Sequence, residues 1–175
     1  MAQARWHILA SHRAAAALLV LPALFAVPSL QPLRAQSPGA PLDLASYPRT
    51  ELTITPPPPG KAHTFRVWVA DTPQRSEQGL MFVSDLPESE GMVFPLEPPR
   101  LESMWMKNTY IELDMLFIAP NGRVMKILER AHPLSLEPLS SGAAVSAVLE
   151  LKGGVAAKLG LKVGDAVSWK KPPAP

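Results

Sequence analysis

Two carboxylate side chains of this sequence stand in apolar surroundings. Asp114 lies in the run LDMLFIA, and Glu150 lies in the run AVLELK. A carboxylate without its water shell is destabilised unless it is paired, hydrogen-bonded or protonated, so both positions invite a functional interpretation. Structural interpretations remain open as well for Asp114 and for Glu150, which would face solvent from a one-sided strand. A third carboxylate, Asp165, would cap its own turn after Gly164.

Basic and amide groups occur near these carboxylates in the predicted fold. Arg75 falls on a short predicted helix, and Lys107 stands beside Asn108. Together with Asp114 or Glu150 they would form one polar cluster, either an ion-pair lock or an anion-recognition pocket. Two carboxylates on either side of a cavity would alternatively permit acid–base cleavage of a sugar linkage.

The run SMWMKNT contains the aromatic residue of greatest interest, Trp105. On a strand Trp105 and Lys107 would share one face, opposite Met104, Met106 and Asn108. The indole could stack on a sugar ring, with Lys107 and Asn108 as hydrogen-bonding groups. In the alternative interpretation Trp105 belongs to the core, and the Asn108 and Thr109 side chains bond their own backbone in a turn.

Methionine is the other unusual feature of this region. Thioether sulfurs are soft ligands and would suit Cu(I), whereas core packing explains the same residues without any metal. We prefer core packing, because no MxxM or HxxM spacing repeats. With no Cys in the chain and with His63 and His132 outside any catalytic motif, we predict no cofactor. The methionines concerned are Met81, Met92, Met104, Met106 and Met115.

The first 35 residues have the order of a secretory signal peptide. A basic segment precedes an apolar run of 14 residues, AAAALLVLPALFAV, and a polar stretch follows it. The run is shorter than the roughly 20 residues of a membrane-spanning helix, and Pro22 interrupts it. We predict cleavage after Ala35, with a cut near Ala26 as the alternative, and no permanent membrane span.

Removal of residues 1–35 changes the charge of the protein. Arg5, Arg13 and Arg34 are lost from the 17 basic residues and none of the 15 acidic residues is lost, so the formal net charge falls from +2 to about −1. A nucleic-acid-binding domain normally carries a basic patch, and we therefore predict no nucleic-acid partner. The predicted location is periplasmic or extracellular.

Proline divides the rest of the chain, whose length suits one domain. The chain has 21 Pro, about twice the usual share. We predict a Pro-rich linker over 36–60, with a flexible tether over 36–50, a candidate first strand at 51–55 and a polyproline spacer or loop at Pro56–Pro59. A single compact β-rich domain follows at 61–171, and 172–175 form a tail.

Alternation of apolar and polar residues predicts short strands separated by turns. Thr72, Pro73 and Gly79 supply the cap, first position and stop of a short helix, and VAAKL forms a second helix between glycines. The fold class is mainly β (α+β), a small, partly closed β-barrel or curved sheet with two short helices. The predicted strands are 63–69, 103–109, 113–119, 123–130, 144–151 and 166–169, with a loop at 97–99; the structural motif residues are Gly79, Gly91, Gly154, Gly164 and Asp165.

Three blocks of the sequence resemble the domain of unknown function 192 family. They are RSEQGLMFVSDLPESEGMVF, SMWMKNTYIELDMLFIAPNGRV and AVLELKGGVAAKLGLKVGDAV, and the resemblance covers about residues 51–170. It implies a compact, β-rich single domain, often behind an export signal, with no established activity. The family usually has a basic residue after GLM, where this chain has Phe82 and Val83.

Polar groups concentrate inside these apolar blocks, so the leading interpretation is an exported domain that binds a small polar or envelope-derived ligand without covalent chemistry. A carboxylate-dependent envelope glycan hydrolase and a Met-based copper protein are the alternatives. The candidate ligand-binding residues are Trp105, Lys107, Asn108 and Asp114, with Arg75 and Glu150 as second members.

Overall fold

The computed structural model of the protein describes residues 41–171, in which seven strands and two short α-helices follow a 3₁₀ turn at Leu44–Ser46. The elements are β1 (Arg49–Thr55), β2 (His63–Val69), α1 (Pro73–Gln78), β3 (Glu90–Met104), β4 (Leu113–Ile118), β5 (Val124–Ala131), β6 (Leu139–Lys152), α2 (Val155–Leu159) and β7 (Ala166–Trp169). No helix in 41–171 is both long and apolar enough to cross a membrane.

The strands form one sheet in the order β5-β4-β6-β3-β2-β1-β7. Its pairs are antiparallel except for β2 and β3, which run parallel. The sheet curls until its two edges meet, where Arg123 bridges Ala166 and the Val124 amide donates to the Asp165 carbonyl at 2.9 Å. The predicted class, a mainly β, partly closed curved sheet with two short helices, is confirmed.

One apolar cluster fills the concave side of the curled sheet. Leu52, Phe65, Val67, Leu116 and Leu149 are all at most 2% exposed, and Val155 and Ala156 of α2 pack with them. A second cluster covers the other face of the β3-β6-β4 portion, with Met92, Met115, Phe117 and Val148 beneath the loops that contribute Leu80, Leu86 and Met106. As its sequence suggests, β4 is buried on both faces.

Local signals placed α1 correctly. The Thr72 hydroxyl accepts from the Arg75 amide at 3.3 Å, Pro73 occupies the first helical turn, and Gly79 ends the helix at a φ of 52°. A left-handed φ of this kind is tolerated best by glycine. The six-residue helix therefore begins and ends where the sequence predicts.

The glycine and aspartate turn motifs near the C-terminus also have structural explanations. Gly154 and Gly164 have positive φ values of 89° and 99°. Asp165 is buried and accepts from the Lys162 amide at 2.8 Å, so it caps its own turn. Gly91 is needed for a different reason, because a Cβ atom there would overlap the Glu150 carbonyl on the neighbouring strand.

The strand predicted at 103–109 is wrong. β3 ends at Met104, and the chain then turns, with the Thr109 amide donating to Met106 and Asn108 at a φ of 55°. The Met106 amide bonds the distant Ser135 carbonyl instead of a sheet partner. The alternation in SMWMKNT therefore does not place Trp105 and Lys107 on a strand face.

Two predicted irregular segments are more ordered than the sequence suggests. Residues 97–99 lie within β3, where the pairing with β6 shifts register between Pro95 and Arg100. The described part of the tether, 41–50, packs on the domain through buried Tyr47 and through a Gln78 side-chain bond to the Leu42 carbonyl at 2.8 Å. The predicted signal peptide and the tail at 172–175 lie outside the described residues.

Candidate functional site

A pocket of about 300 Å³ lies on the convex face of the sheet. Its walls come from α1 and the turn after it, from β3, and from the loop that follows β3, while β6 contributes Glu150. Buried Leu80, Phe94 and Leu96 make part of the lining apolar. The pocket therefore combines apolar and polar walls with one residue of β6, Glu150.

Glu150 owes its position to the strand register. Its cross-strand neighbours are Met92 on β3 and Met115 on β4, and residues directly opposite each other project from the same face. Both methionines are fully buried, and Glu150 itself is only 3% exposed. The side chain thus projects from the same face as two buried methionines, and it lines the pocket.

Burial raises the pKa of Glu150 from 4.5 to about 8, because the ionised form loses its water shell without gaining a compensating charge. Among residues 41–171, no hydrogen bond or ion pair reaches its carboxyl group. The titratable groups that line the same pocket are Glu77 on α1, Arg100 and Glu102 on β3, and Lys107 in the following loop. Near neutral pH Glu150 is a neutral acid that can donate one hydrogen bond and accept another.

Asp114 is placed very differently. It pairs with Leu151 of β6, one residue out of step with the pair formed by Met115 and Glu150, so its side chain projects from the opposite face. Its carboxylate accepts three backbone N–H bonds, from Arg130 at 2.8 Å, Gly154 at 2.9 Å and Ala156 at 2.8 Å. Asp114 is therefore a structural brace and does not line the pocket.

This arrangement separates the two carboxylates on which the hydrolase alternative depended. A two-carboxylate glycosidase needs both groups on either side of one substrate. Here Asp114 and Glu150 face opposite sides of a sheet, and three backbone amides already occupy Asp114. The two carboxylates therefore do not flank one cavity, as that alternative requires.

Two other predicted site residues lie at the pocket. Trp105 is 46% exposed, and the Lys107 ammonium nitrogen lies 5.0 Å from its ring centroid, a cation–π distance. Both residues line the pocket in the loop after β3. The Trp105 indole is thus available to a ligand, and Lys107 holds a positive charge beside it.

Arg75 and Asn108 do not line the pocket. Arg75 forms an ion pair with Asp71 at 2.5 Å and bonds the Ser46 carbonyl at 2.9 Å, which ties the N-terminal segment to α1. Asn108 directs its side-chain amide toward the Met81 sulfur at 3.8 Å. Neither meets Asp114 or Glu150, so the predicted single polar cluster is not formed.

The methionines predicted as copper candidates lie mostly on the pocket side of the sheet. Met81 and Met104 line the pocket, and Met92, Met106 and Met115 are fully buried in the second apolar cluster. Burial in that cluster agrees with core packing. In residues 41–171, no group of three or more His, Cys, Asp or Glu side chains is arranged to hold a metal ion.

Sequence reasoning missed part of the lining. The sequence does not single out Arg100 and Glu102, which form a 3.0 Å ion pair, because it predicts a loop at 97–99 where β3 in fact continues to Met104. Glu77 and Gln78 on α1 also line the pocket. The sequence feature that could have identified Glu77 and Gln78 is the capped helix on which they lie. None of the six residues of this helix is buried.

Comparison with known proteins agrees with the fold. The family model of DUF192, described as "Uncharacterized ACR", matches residues 56–169. A solved structure from Sinorhizobium meliloti 1021, provisionally described as a transcription regulator, is 38% identical, has a TM-score of 0.68, and is matched over 71% of this chain and 95% of its own.

A protein of unknown function from Novosphingobium aromaticivorans DSM 12444 is similar to the same extent. It is 38% identical, with a TM-score of 0.69 and a match over 74% of this chain and 91% of its own. The search of curated proteins gives no match. These similarities extend over nearly all of both solved chains.

Proposed function

The chain belongs to the DUF192 family, which is described only as uncharacterised, and from that premise and the pocket geometry we propose that it binds a small polar ligand through the carboxyl group of Glu150. The observation that carries the proposal is the buried carboxyl group, which lacks a partner within residues 41–171 and faces a pocket of about 300 Å³. Buried polar groups in folded proteins normally have hydrogen-bond partners.

The neutral state of Glu150 decides what it can recognise. A protonated carboxyl donates a hydrogen bond to a ligand acceptor, and at a buried group such as Glu150 this bond is stronger than in bulk solvent. Trp105 supplies a flat apolar surface at the same pocket. The ligand would place an acceptor atom against Glu150 and an apolar face against the indole.

Binding without covalent chemistry is favoured over hydrolysis. Glu150 has no second carboxylate on its face of the sheet at the position the hydrolase alternative requires, because Asp114 projects from the other face. The remaining pocket carboxylates, Glu77 and Glu102, belong to α1 and β3, and Arg100 pairs with Glu102. A neutral acid in a pocket of mixed apolar and polar lining suits recognition.

The charge balance supports a small-molecule partner over nucleic acid. Residues 41–171 carry 14 basic and 15 acidic side chains, whereas nucleic-acid-binding surfaces are strongly basic. We also propose that the domain is exported, since residues 1–35 have the pattern of a signal peptide. An envelope-derived ligand would fit that location.

The proposal is tested by a thermal-shift screen with saccharides, peptides and nucleotides at pH 6.5. A ligand of this pocket stabilises the wild type, and the effect is lost in Glu150→Met and reduced in Trp105→Ala. Glu129→Gln, which changes an exposed carboxylate on β5, is the matched control and should respond like the wild type. A ligand that stabilises Glu150→Met as strongly as the wild type contradicts the proposal.

A further inference from the structure

The geometry of the Glu150 carboxyl also restricts the shape of its ligand. The carboxyl group lines the pocket and receives no hydrogen bond from residues 41–171, so its bonding capacity is left for a ligand. In the neutral acid one oxygen donates and the other accepts, side by side. The two oxygens form a hydrogen-bonding edge of the carboxyl group. This edge complements a ligand edge in which a hydrogen-bond acceptor atom lies next to a donor.

The pocket walls favour a flat ring. Phe94 and Trp105 provide aromatic surfaces, and Met81 and Met104 provide polarisable thioethers that pack well against aromatic rings. Leu80 completes the apolar lining. A volume of about 300 Å³ lies at the small end of ligand pockets and suits one ring system with few substituents.

We infer that the pocket takes a flat nitrogen heterocycle with an amino group beside a ring nitrogen, held edge to edge by the Glu150 carboxyl. The ring nitrogen accepts a hydrogen bond from the acid O–H, and the amino group donates a hydrogen bond to the acid carbonyl. This inference rests on the proposed function, which requires only that Glu150 bind a ligand acceptor. No covalent step is involved.

Ionisation of Glu150 would change the hydrogen-bonding pattern that it prefers in a ligand. A carboxylate presents two acceptors and pairs with an edge of two donors, so binding of an acceptor–donor edge weakens once the acid loses its proton. The neighbours Met92 and Met115 do not titrate. The titratable groups that line the pocket beside Glu150 are Glu77 on α1, Arg100 and Glu102 on β3, and Lys107 in the loop.

The test uses two probes, 2-aminopyrimidine and pyrimidine, which differ only in the amino group. Binding to the intact chain is followed by NMR chemical shifts at pH 6.5 and 9.5. At pH 6.5 we expect 2-aminopyrimidine to bind about fivefold more tightly than pyrimidine, the effect of one hydrogen bond. At pH 9.5 its affinity should fall roughly tenfold or more, since Glu150 is then mostly ionised.

Variants separate the carboxyl edge from the pocket as a whole. Glu150→Gln keeps a donor beside an acceptor, so it should retain the preference for 2-aminopyrimidine but lose the dependence on pH. Glu150→Met should abolish the preference. A dispersed amide spectrum verifies that each variant is folded, and the wild-type comparison of the two probes is decisive without any variant.

Different results overturn different claims. Equal affinities for the two probes in the wild type, with both lost in Glu150→Met, overturn the inferred ligand class and leave the proposed function intact. Tighter binding of 2-aminopyrimidine at pH 9.5 than at pH 6.5 also overturns the inferred class. Shift changes that do not map to the pocket, together with an ordinary Glu150 pKa, overturn both.

Discussion

Asp114 and Glu150 lie on adjacent strands, yet their carboxyl groups project from opposite faces of the sheet. Asp114 accepts three backbone N–H bonds and is fully buried, whereas Glu150 faces a pocket with no partner in residues 41–171. A carboxyl group therefore braces the fold at one position and has no hydrogen-bond partner within residues 41–171 at the other.

Stability should depend on pH through Glu150. Its pKa is 4.5 in the unfolded chain and about 8 in the fold, so between these values the unfolded state has released a proton that the folded state retains. The free energy of unfolding then falls as pH rises, by about 1.4 kcal/mol per pH unit for this group. Urea unfolding from pH 5 to pH 8 measures the slope.

Glu150→Gln is the control for this pH dependence, since it cannot ionise. The variant should lose the Glu150 contribution to the slope and gain stability relative to the wild type as pH rises toward 8. Parallel pH profiles for wild type and variant would contradict the raised pKa.

Asp114→Asn should destabilise the fold by about 3 kcal/mol. The charge-assisted bonds to three backbone amides are lost or weakened, and the new amide group places its own N–H atoms against buried donors. Denaturant unfolding measures the change. Asp85→Asn, which alters a carboxylate with a 79% exposed side chain, should cost less than about 1 kcal/mol; equal losses would refute the bracing role of Asp114.

The local elements were predictable because their signals are local. The Thr72 cap, Pro73 and Gly79 define α1, and the turn at 120–122, where Gly122 donates to Ala119 at 2.9 Å, joins β4 to β5. Prediction failed at 103–109 because the alternation resembles a strand, while the chain is held in a turn by a bond from Met106 to Ser135, 29 residues away.

The site was only partly predictable for a related reason. The apolar sequence neighbours of Glu150 are visible in the sequence, but its cross-strand neighbours Met92 and Met115 depend on the order β3-β6-β4. That order also sends Asp114 to the other face. Local pattern does not reveal which strands become neighbours, so it could not separate the two carboxylates.

Trp105→Ala should weaken ligand binding while the fold persists. The side chain is 46% exposed and lies in a loop at the pocket, so its removal should cost less than about 1 kcal/mol of stability. Thermal unfolding and ligand titration measure the two effects. Tyr110→Ala is the matched control, because Tyr110 is 53% exposed and does not line the pocket. If Trp105→Ala unfolds the protein, Trp105 is a core residue and the prediction is wrong.

Export predicts a shortened mature chain. When the full sequence is expressed in a bacterium with a secretory pathway, the periplasmic or extracellular protein should begin at Gln36. N-terminal sequencing of the fractionated protein measures this directly. A start near Val27 would support the alternative cut, and an uncleaved protein confined to the cytoplasm would contradict export.

The most direct test of the central claim is the pKa of Glu150 itself. The side-chain carboxyl ¹³C shift, assigned by its disappearance in Glu150→Gln, is followed from pH 4 to pH 10. We expect a single titration near pH 8, with the group still protonated at pH 6. A midpoint near 4.5 would contradict it, because an acid ionised at neutral pH could not donate the hydrogen bond on which the proposed binding depends.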